Sequence, residues 1–242
     1  MIEFFPELQI VMIIFGYTVY WYGLLYVVAF GIGYALLPRL ARYRDIFLDS
    51  ERWLEFLFWT VLAVLLGGRL GYVLLYAPGY FLLHPLEILL LSNGGMSSHG
   101  GFFAVGVAVW FLARRFKISL LDLLDVAVVP VALGLALGRL GNFINQELYV
   151  GNFALLAVAK DLLLALLGYL TLRRTSGYFA ESGRVLGLFL VGYGILRFVT
   201  EYLRIQEWNY VWGLTYGQFL TIPLFLFGGY LLLRPSMPFL KV

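Results

Sequence analysis

The chain has 242 residues, of which 62% are hydrophobic, 18% aromatic and only 13% charged, with a formal net charge of +3 at pH 7. A mean hydropathy of +0.89 lies outside the range of ordinary soluble domains, so the composition defines a polytopic membrane protein and excludes a soluble nucleic-acid binder. Cysteine is absent, which excludes a disulfide framework, a thiolate metal site and a cysteine nucleophile; any thiol in the chemistry must arrive with a substrate.

About 20 apolar residues cross the hydrocarbon as a helix, and seven stretches qualify, at 11–37, 53–76, 98–113, 120–145, 152–172, 185–203 and 214–234. The expected fold is all-α, a single transmembrane domain over residues 1–242 with seven transmembrane helices. Ahead of the first stretch, Glu3 and Glu7 stand where a signal peptide would carry basic residues, so no cleaved leader is expected. The first stretch opens with Tyr17, Tyr20, Trp21 and Tyr22, an aromatic run suited to the membrane interface. The second carries Arg69 near its end. Between the second and third, Pro78, Pro85 and Asn93-Gly94-Gly95 interrupt the pattern, and 78–97 reads as a re-entrant or interfacial piece. The third stretch opens in Gly94-Gly95-Met96-Ser97-Ser98-His99-Gly100-Gly101. The fourth ends in Arg139, Asn142 and Asn145, with Glu147 just beyond; the fifth holds Lys160-Asp161, placed either to border the same polar cavity or to form a simple buried ion pair; the sixth holds Tyr193, Arg197 and Glu201, with Arg204 following.

The connections differ in charge. Arg39, Arg42, Arg44 and Arg52 lie in the first loop, Arg114, Arg115 and Lys117 in the third, Arg173, Arg174 and Arg184 in the fifth, and Arg234 and Lys241 in the tail. Of the alternate connections, only 204–213 has a basic residue, Arg204. The positive-inside rule therefore predicts an external N-terminus and a cytoplasmic C-terminus. That orientation puts Tyr22, Arg69, His99, Arg139 and Arg197, from five segments, at one level in the outer half of the membrane. A charged side chain at mid-membrane costs roughly 2.5 to 3.5 kcal/mol on insertion scales, so it needs a partner, a wet cavity or an anionic ligand. One outward-facing polar cavity is the economical reading.

Two guanidinium groups at one depth suit an anionic oxygen cluster, because their forks pair bidentately with phosphate or carboxylate and stay charged. A phospholipid head group is the nearest such ligand. Tyr193, Arg197, Glu201 and Arg204 share one helical face, so an internal Arg197–Glu201 pair is the competing reading of that stretch. Asn142, Asn145 and Glu147 can bind glycerol hydroxyls or orient the arginines, or simply form a polar helix end. Imidazole is the side chain that exchanges protons near neutrality, and His99 lies in a glycine-rich setting where a ligand can approach. Ser97 and Ser98 form no nucleophile elbow, and two histidines without spaced partners argue against a metal.

These residues resemble the prolipoprotein diacylglyceryl transferase family. Gly138-Arg139-Leu140-Gly141-Asn142-Phe143-Ile144-Asn145-Gln146-Glu147 is similar to the family signature almost letter for letter. Trp21-Tyr22-Gly23-Leu24, Gly67-Gly68-Arg69-Leu70-Gly71-Tyr72, the His99 segment, Gly192-Tyr193-Gly194 with Arg197 and Glu201, and Gly217-Gln218 follow in family order. The resemblance implies transfer of a diacylglyceryl group from phosphatidylglycerol to the thiol of a lipobox cysteine in a prolipoprotein, at the cell inner membrane and without a cofactor. His99, Arg139, Arg197 and Tyr22 are the implied catalytic residues. Arg69, Asn142, Asn145, Glu147, Tyr193, Glu201 and Arg204 are the implied substrate-binding ones. One departure concerns the external head. Family members commonly carry a longer insertion after the signature and a His-Pro-Ser/Thr-Gln-Leu-Tyr-Glu-like run, whereas here Glu147 leads within a few residues to Phe153, and Asp161 stands where the run's terminal acid would be. A non-catalytic lipid-binding or lipid-moving protein is the alternative from another class. A small-anion transporter is disfavoured by the lack of internal repeats.

Overall fold

The computed structural model describes residues 10–14, 17–90, 95–145, 153–176, 181–203 and 210–234. Among them are seven helices of 17 to 26 residues: α1 (Trp21–Ala41), α2 (Ser50–Leu75), α4 (Ser98–Arg115), α5 (Leu120–Ile144), α6 (Phe153–Arg174), α7 (Arg184–Thr200) and α8 (Tyr216–Leu233). The short α3 (Pro78–Leu83) and a 3-10 turn at Pro85–Leu89 fill the interrupted segment after α2. α1 with the turn that extends it, α2, α5 and α6 are long and apolar enough to cross a membrane. Leucine and phenylalanine side chains such as Leu74, Phe103, Leu162 and Leu226 lie exposed on the helices, as lipid-facing surfaces require. The protein is a helical, multi-pass membrane protein.

The first span begins later than its hydropathy predicts. Residues expected to open that helix instead form β1 (Ile10–Ile14) and β2 (Tyr17–Tyr20), an antiparallel pair with Ile10 opposite Tyr20 and Ile14 opposite Tyr17. β-branched and aromatic residues on both sides of Phe15-Gly16 favour a pleated pair over a helix. Tyr17 and Tyr20 thus belong to a strand rather than to the helix end. The 21 residues of α1 still reach roughly 30 Å. A second hairpin, β3 (Tyr210–Val211) and β4 (Leu214–Thr215), turns through Trp212 and Gly213 at φ 51° and 80°, the left-handed pair that a two-residue hairpin demands. It delivers Thr215 as the N-cap of α8, in a reciprocal capping box with Gln218.

Contacts divide the chain into two compact units, Phe47–Leu120 and the combination of Met1–Ile46 with Leu121–Val242. In the smaller unit α2 and α4 meet through glycines: a β-carbon on Gly71 would sit 2.7 Å from the Gly100 α-carbon. Small residues permit that approach where lipid supplies no hydrophobic drive. The Ser97 amide donates to the Gly68 carbonyl at 2.8 Å, fixing where α4 starts.

In the larger unit α7 crosses α8 at Gly187 and Gly228, where a β-carbon on Gly228 would lie 2.9 Å from the Gly187 carbonyl oxygen. A different tie closes the end at which α1 finishes and α5 begins. Arg44, counted from the sequence as a loop charge, is buried there. Its Nη2 lies 2.9 Å from Asp125 Oδ2, and it also donates to the Thr175 hydroxyl and carbonyl. Asp125 accepts further bonds from the amides of Gly183 and Leu186, at 2.9 and 2.8 Å. One carboxylate therefore joins the α1 exit, the α6 exit and the first turn of α7, satisfying helix-end amides that have no intrahelical acceptor.

Removing one member of such a buried pair strands the other. Asp125→Ala is expected to lower stability by about 3 to 5 kcal/mol in thermal unfolding of the detergent-solubilised protein. Asp122→Ala, whose carboxylate is 3.7 Å from Arg44 and partly exposed, should have the smaller effect.

Candidate functional site

The polar residues of the larger unit gather at the opposite end of its helices, where α5 and α7 finish and α6 begins. Arg139 lies five residues before the last residue of α5, and its Nη1 donates to Asn142 Oδ1 at 3.2 Å. Its Nε is 3.9 Å from Oδ2 of Asp161 on α6. The other carboxylate oxygen of Asp161 receives the Lys160 ammonium. Lys160 Nζ in turn lies 4.7 Å from the ring centroid of Tyr193 on α7, a cation–π contact. One turn further along α7, Arg197 pairs with Glu201. Asp161 is fully buried, and Lys160, Asn142 and Glu201 nearly so. Arg139 and Arg197 both lie within electrostatic reach of Lys160 and Asp161.

Close helix approach positions these groups. The Tyr22 ring of α1 covers Gly141, where a β-carbon would lie 2.7 Å from the ring, and Tyr26 meets that ring edge-on. Gly217, at the start of α8, leaves room for the Glu201 carboxylate, which a β-carbon there would overlap. Gln218 Nε2 donates to the Phe198 carbonyl at 3.4 Å, bonding the end of α7 to α8. Glu201 itself occupies a 3-10 turn that tightens the α7 exit. Asn145 closes the last turn of α5 through its amide, 2.9 Å from the Gly141 carbonyl.

In the smaller unit Arg69 is nearly buried and donates to a set of backbone carbonyls: Ile88 at 3.0 Å, Glu87 at 2.6 Å, Leu90 at 3.1 Å and Gly95 at 3.3 Å. Its guanidinium also lies 5.1 Å from the Phe81 ring centroid. The broken segment after α2 frees carbonyls that lipid cannot satisfy, and one guanidinium gathers them. Gly95 completes this turn at φ +76°, where a β-carbon would strike the Tyr72 ring. His99 is the second residue of α4, one position beyond Ser98 and after the Ser97 cap. The side chains of Ser98 and His99, and all of Glu147 and Arg204, lie outside the described residues.

The cluster therefore unites Arg139, Asn142, Tyr193, Arg197 and Glu201, all singled out from the sequence, with Lys160 and Asp161, which pair with each other and also stand beside Arg139. Adjacent charges in an otherwise apolar span are the signal that marks Lys160-Asp161. Their spatial link to Arg139 depends on how α5 and α6 pack. A partly buried cationic cluster framed by hydrogen-bonding side chains is suited to holding a phosphate or carboxylate.

The fold and the polar cluster together define the class: a helical, multi-pass integral membrane protein with charged groups gathered at one end of its helices. The family model described as prolipoprotein diacylglyceryl transferase matches residues 9–234. A curated relative from Bordetella avium is 37% identical, with 93% of each chain covered. One from a Shewanella species is 37% identical over 92% of each, and one from Nitrosomonas europaea is 39% identical over 86% of this chain and 82% of its own length. All three are named phosphatidylglycerol–prolipoprotein diacylglyceryl transferase. The chain belongs to the prolipoprotein diacylglyceryl transferase family.

Two glycines separate packing from propensity. Gly217→Ala is expected to destabilise by about 1 to 3 kcal/mol through overpacking, because its methyl group meets the Glu201 carboxylate. Gly138→Ala, with no neighbour within 4 Å, should be neutral or stabilising by up to about 1 kcal/mol. Thermal midpoints of both variants in detergent provide the comparison, and equal losses would contradict it.

Proposed function

We propose that this protein transfers the diacylglyceryl group of phosphatidylglycerol to the thiol of a lipobox cysteine in a prolipoprotein, at the inner (cytoplasmic) membrane. The observation that supports this most is the Arg139–Asp161–Lys160 cluster, with Asp161 and Lys160 buried, beside Tyr193 and the Arg197–Glu201 pair. Membership of the family, whose relatives carry that enzymatic name, gives the cluster its chemical context.

In this reading the seven long helices all span the bilayer, with the N-terminus outside, the C-terminus cytoplasmic and the cluster in the outer half. The sulfur of the acceptor attacks the glyceryl carbon that bears the phosphate. A carbon–sulfur bond forms, the carbon–oxygen bond breaks, and its electron pair stays on the phosphate oxygen. A phosphodiester with one negative charge leaves as glycerol phosphate with two. His99 takes the thiol proton or orients the thiol, raising the thiolate fraction of the attacking sulfur.

Arg139 and Arg197 face the charge that builds on the departing phosphate, and preorganised charge of this kind acts without solvent rearrangement at the moment of reaction. Asn142 holds the Arg139 guanidinium in place. Tyr22 and Tyr193 line the site, and Asn145, Glu147, Glu201 and Arg204 position head group and arginines. Arg69 acts on the loop before His99, through the carbonyls it gathers.

Purified protein given phosphatidylglycerol and a lipobox peptide is expected to add one diacylglyceryl mass to the peptide and release glycerol phosphate. Arg139→Ala should reduce that rate by about 100-fold or more, while Lys117→Ala, in the exposed turn after α4, leaves it unchanged. Mass spectrometry of the peptide reads both. No modification above a no-enzyme control would refute the reading, and lipid binding without glycerol phosphate release would favour a non-catalytic lipid binder.

A further inference from the structure

Each arginine of the cluster already faces a carboxylate: Arg139 has Asp161 at 3.9 Å, and Arg197 has Glu201. These four groups alone would be neutral. Lys160 is the fifth charge, and among the described residues of the cluster it raises the balance to three positive and two negative, a net +1. A diester phosphate carries one negative charge. In a low-dielectric site each unit of net positive charge strengthens the hold on such an anion.

The geometry leaves that charge available. Lys160 is 7% exposed and adjoins Asp161, whose second oxygen is turned toward Arg139. A single carboxylate is thus divided between two cations. On another side the ammonium meets the face of the Tyr193 ring, which stabilises a cation through its quadrupole without neutralising it. An ammonium has three donors. Among the described residues Asp161 and the Tyr193 ring are the contacts the ammonium makes, fewer than its three donors.

We propose that Lys160 is a phosphate-binding residue, the cation that gives this cluster its affinity for an anionic lipid head group. Asp161 is a positioning residue that holds Lys160 and Arg139 at one depth. This assignment rests on the transferase reading above and names the group that supplies the net charge for its donor lipid. As the carbon–oxygen bond opens and the phosphate acquires its second negative charge, the same ammonium opposes it.

The test compares the full-length protein with Lys160→Met, Asp161→Asn, the double variant and Lys160→Arg, all in neutral detergent. Binding of a short-chain phosphatidylglycerol is measured by calorimetry, and thermal midpoints are recorded alongside. The cluster charges become 0 for Lys160→Met, +2 for Asp161→Asn and +1 again for the double variant. Affinity is expected to fall roughly 30-fold or more in Lys160→Met, to return toward wild type in the double variant and in Lys160→Arg, and to be highest in Asp161→Asn.

Thermal midpoints should follow a different order, lowest in the two neutralising single variants and restored in the double. A purely structural ion pair would move the midpoints and leave affinity alike in every folded variant, which would overturn the proposal. Should Lys160→Met fail to fold, Asp161→Asn binding no tighter than the double variant would overturn it equally. Wild-type protein that neither binds the lipid nor transfers its diacylglyceryl group would defeat the functional reading itself. Binding and transfer without the charge order would defeat the Lys160 assignment alone.

Discussion

Ions inside hydrocarbon must be compensated, and the sharing of Asp161 between Lys160 and Arg139 is how this protein meets that constraint at its candidate site. A carboxylate divided between two cations holds both in the membrane interior and neutralises neither completely. Tyr193 supports the lysine through its ring, Asn142 supports the arginine through its amide oxygen, and the Arg197–Glu201 pair stands one turn along α7. The surrounding packing serves this arrangement. Tyr22 over Gly141 and Glu201 against Gly217 are close approaches that fix side chains relative to one another across four helices.

The same device recurs twice, each time with a different result. At the opposite end of the larger unit, Arg44 and Asp125 are buried together and spend their remaining hydrogen-bonding capacity on Thr175, Gly183 and Leu186. Every contact there is internal, which makes a structural clamp. In the smaller unit Arg69 is absorbed by carbonyls of the segment that follows α2, tying that irregular segment to the helix. In the Arg139–Asp161–Lys160 cluster two cations share one buried carboxylate, flanked by the Tyr193 ring and the Asn142 amide. Burial of charge is common to all three places; hydrogen bonds to backbone and carboxylate absorb Arg44 and Arg69, while Lys160 and Arg139 divide one carboxylate.

Much of this was legible in the sequence because charge in apolar helices is rare and helical spacing is regular. Arg139 with Asn142, three residues apart, and Arg197 with Glu201, four apart, meet as their spacing requires. The boundaries of α2, α5 and α6 follow hydropathy closely. The opening of the first span did not, because a window of hydropathy cannot distinguish a β-branched run in a hairpin from one in a helix. Arg44 was hidden among loop charges, and only tertiary packing sets Asp125 against it. Lys160 and Asp161 were visible as an anomaly, but their connection to Arg139 arises from the approach of α5 and α6, which no local pattern encodes. Arg69 was visible as a buried charge, whereas its carbonyl partners come from an irregular backbone that spacing rules do not describe.

The central claim is that the lipid phosphate lies against this cluster. A structure of the full-length protein in a nanodisc with phosphatidylglycerol bound tests it most directly. The account predicts the head-group phosphate within hydrogen-bonding distance of Arg139, Lys160 and Arg197, with Asp161 still bridging the first two. A phosphate seated elsewhere, with Lys160 engaged solely by Asp161 and Tyr193, would contradict it.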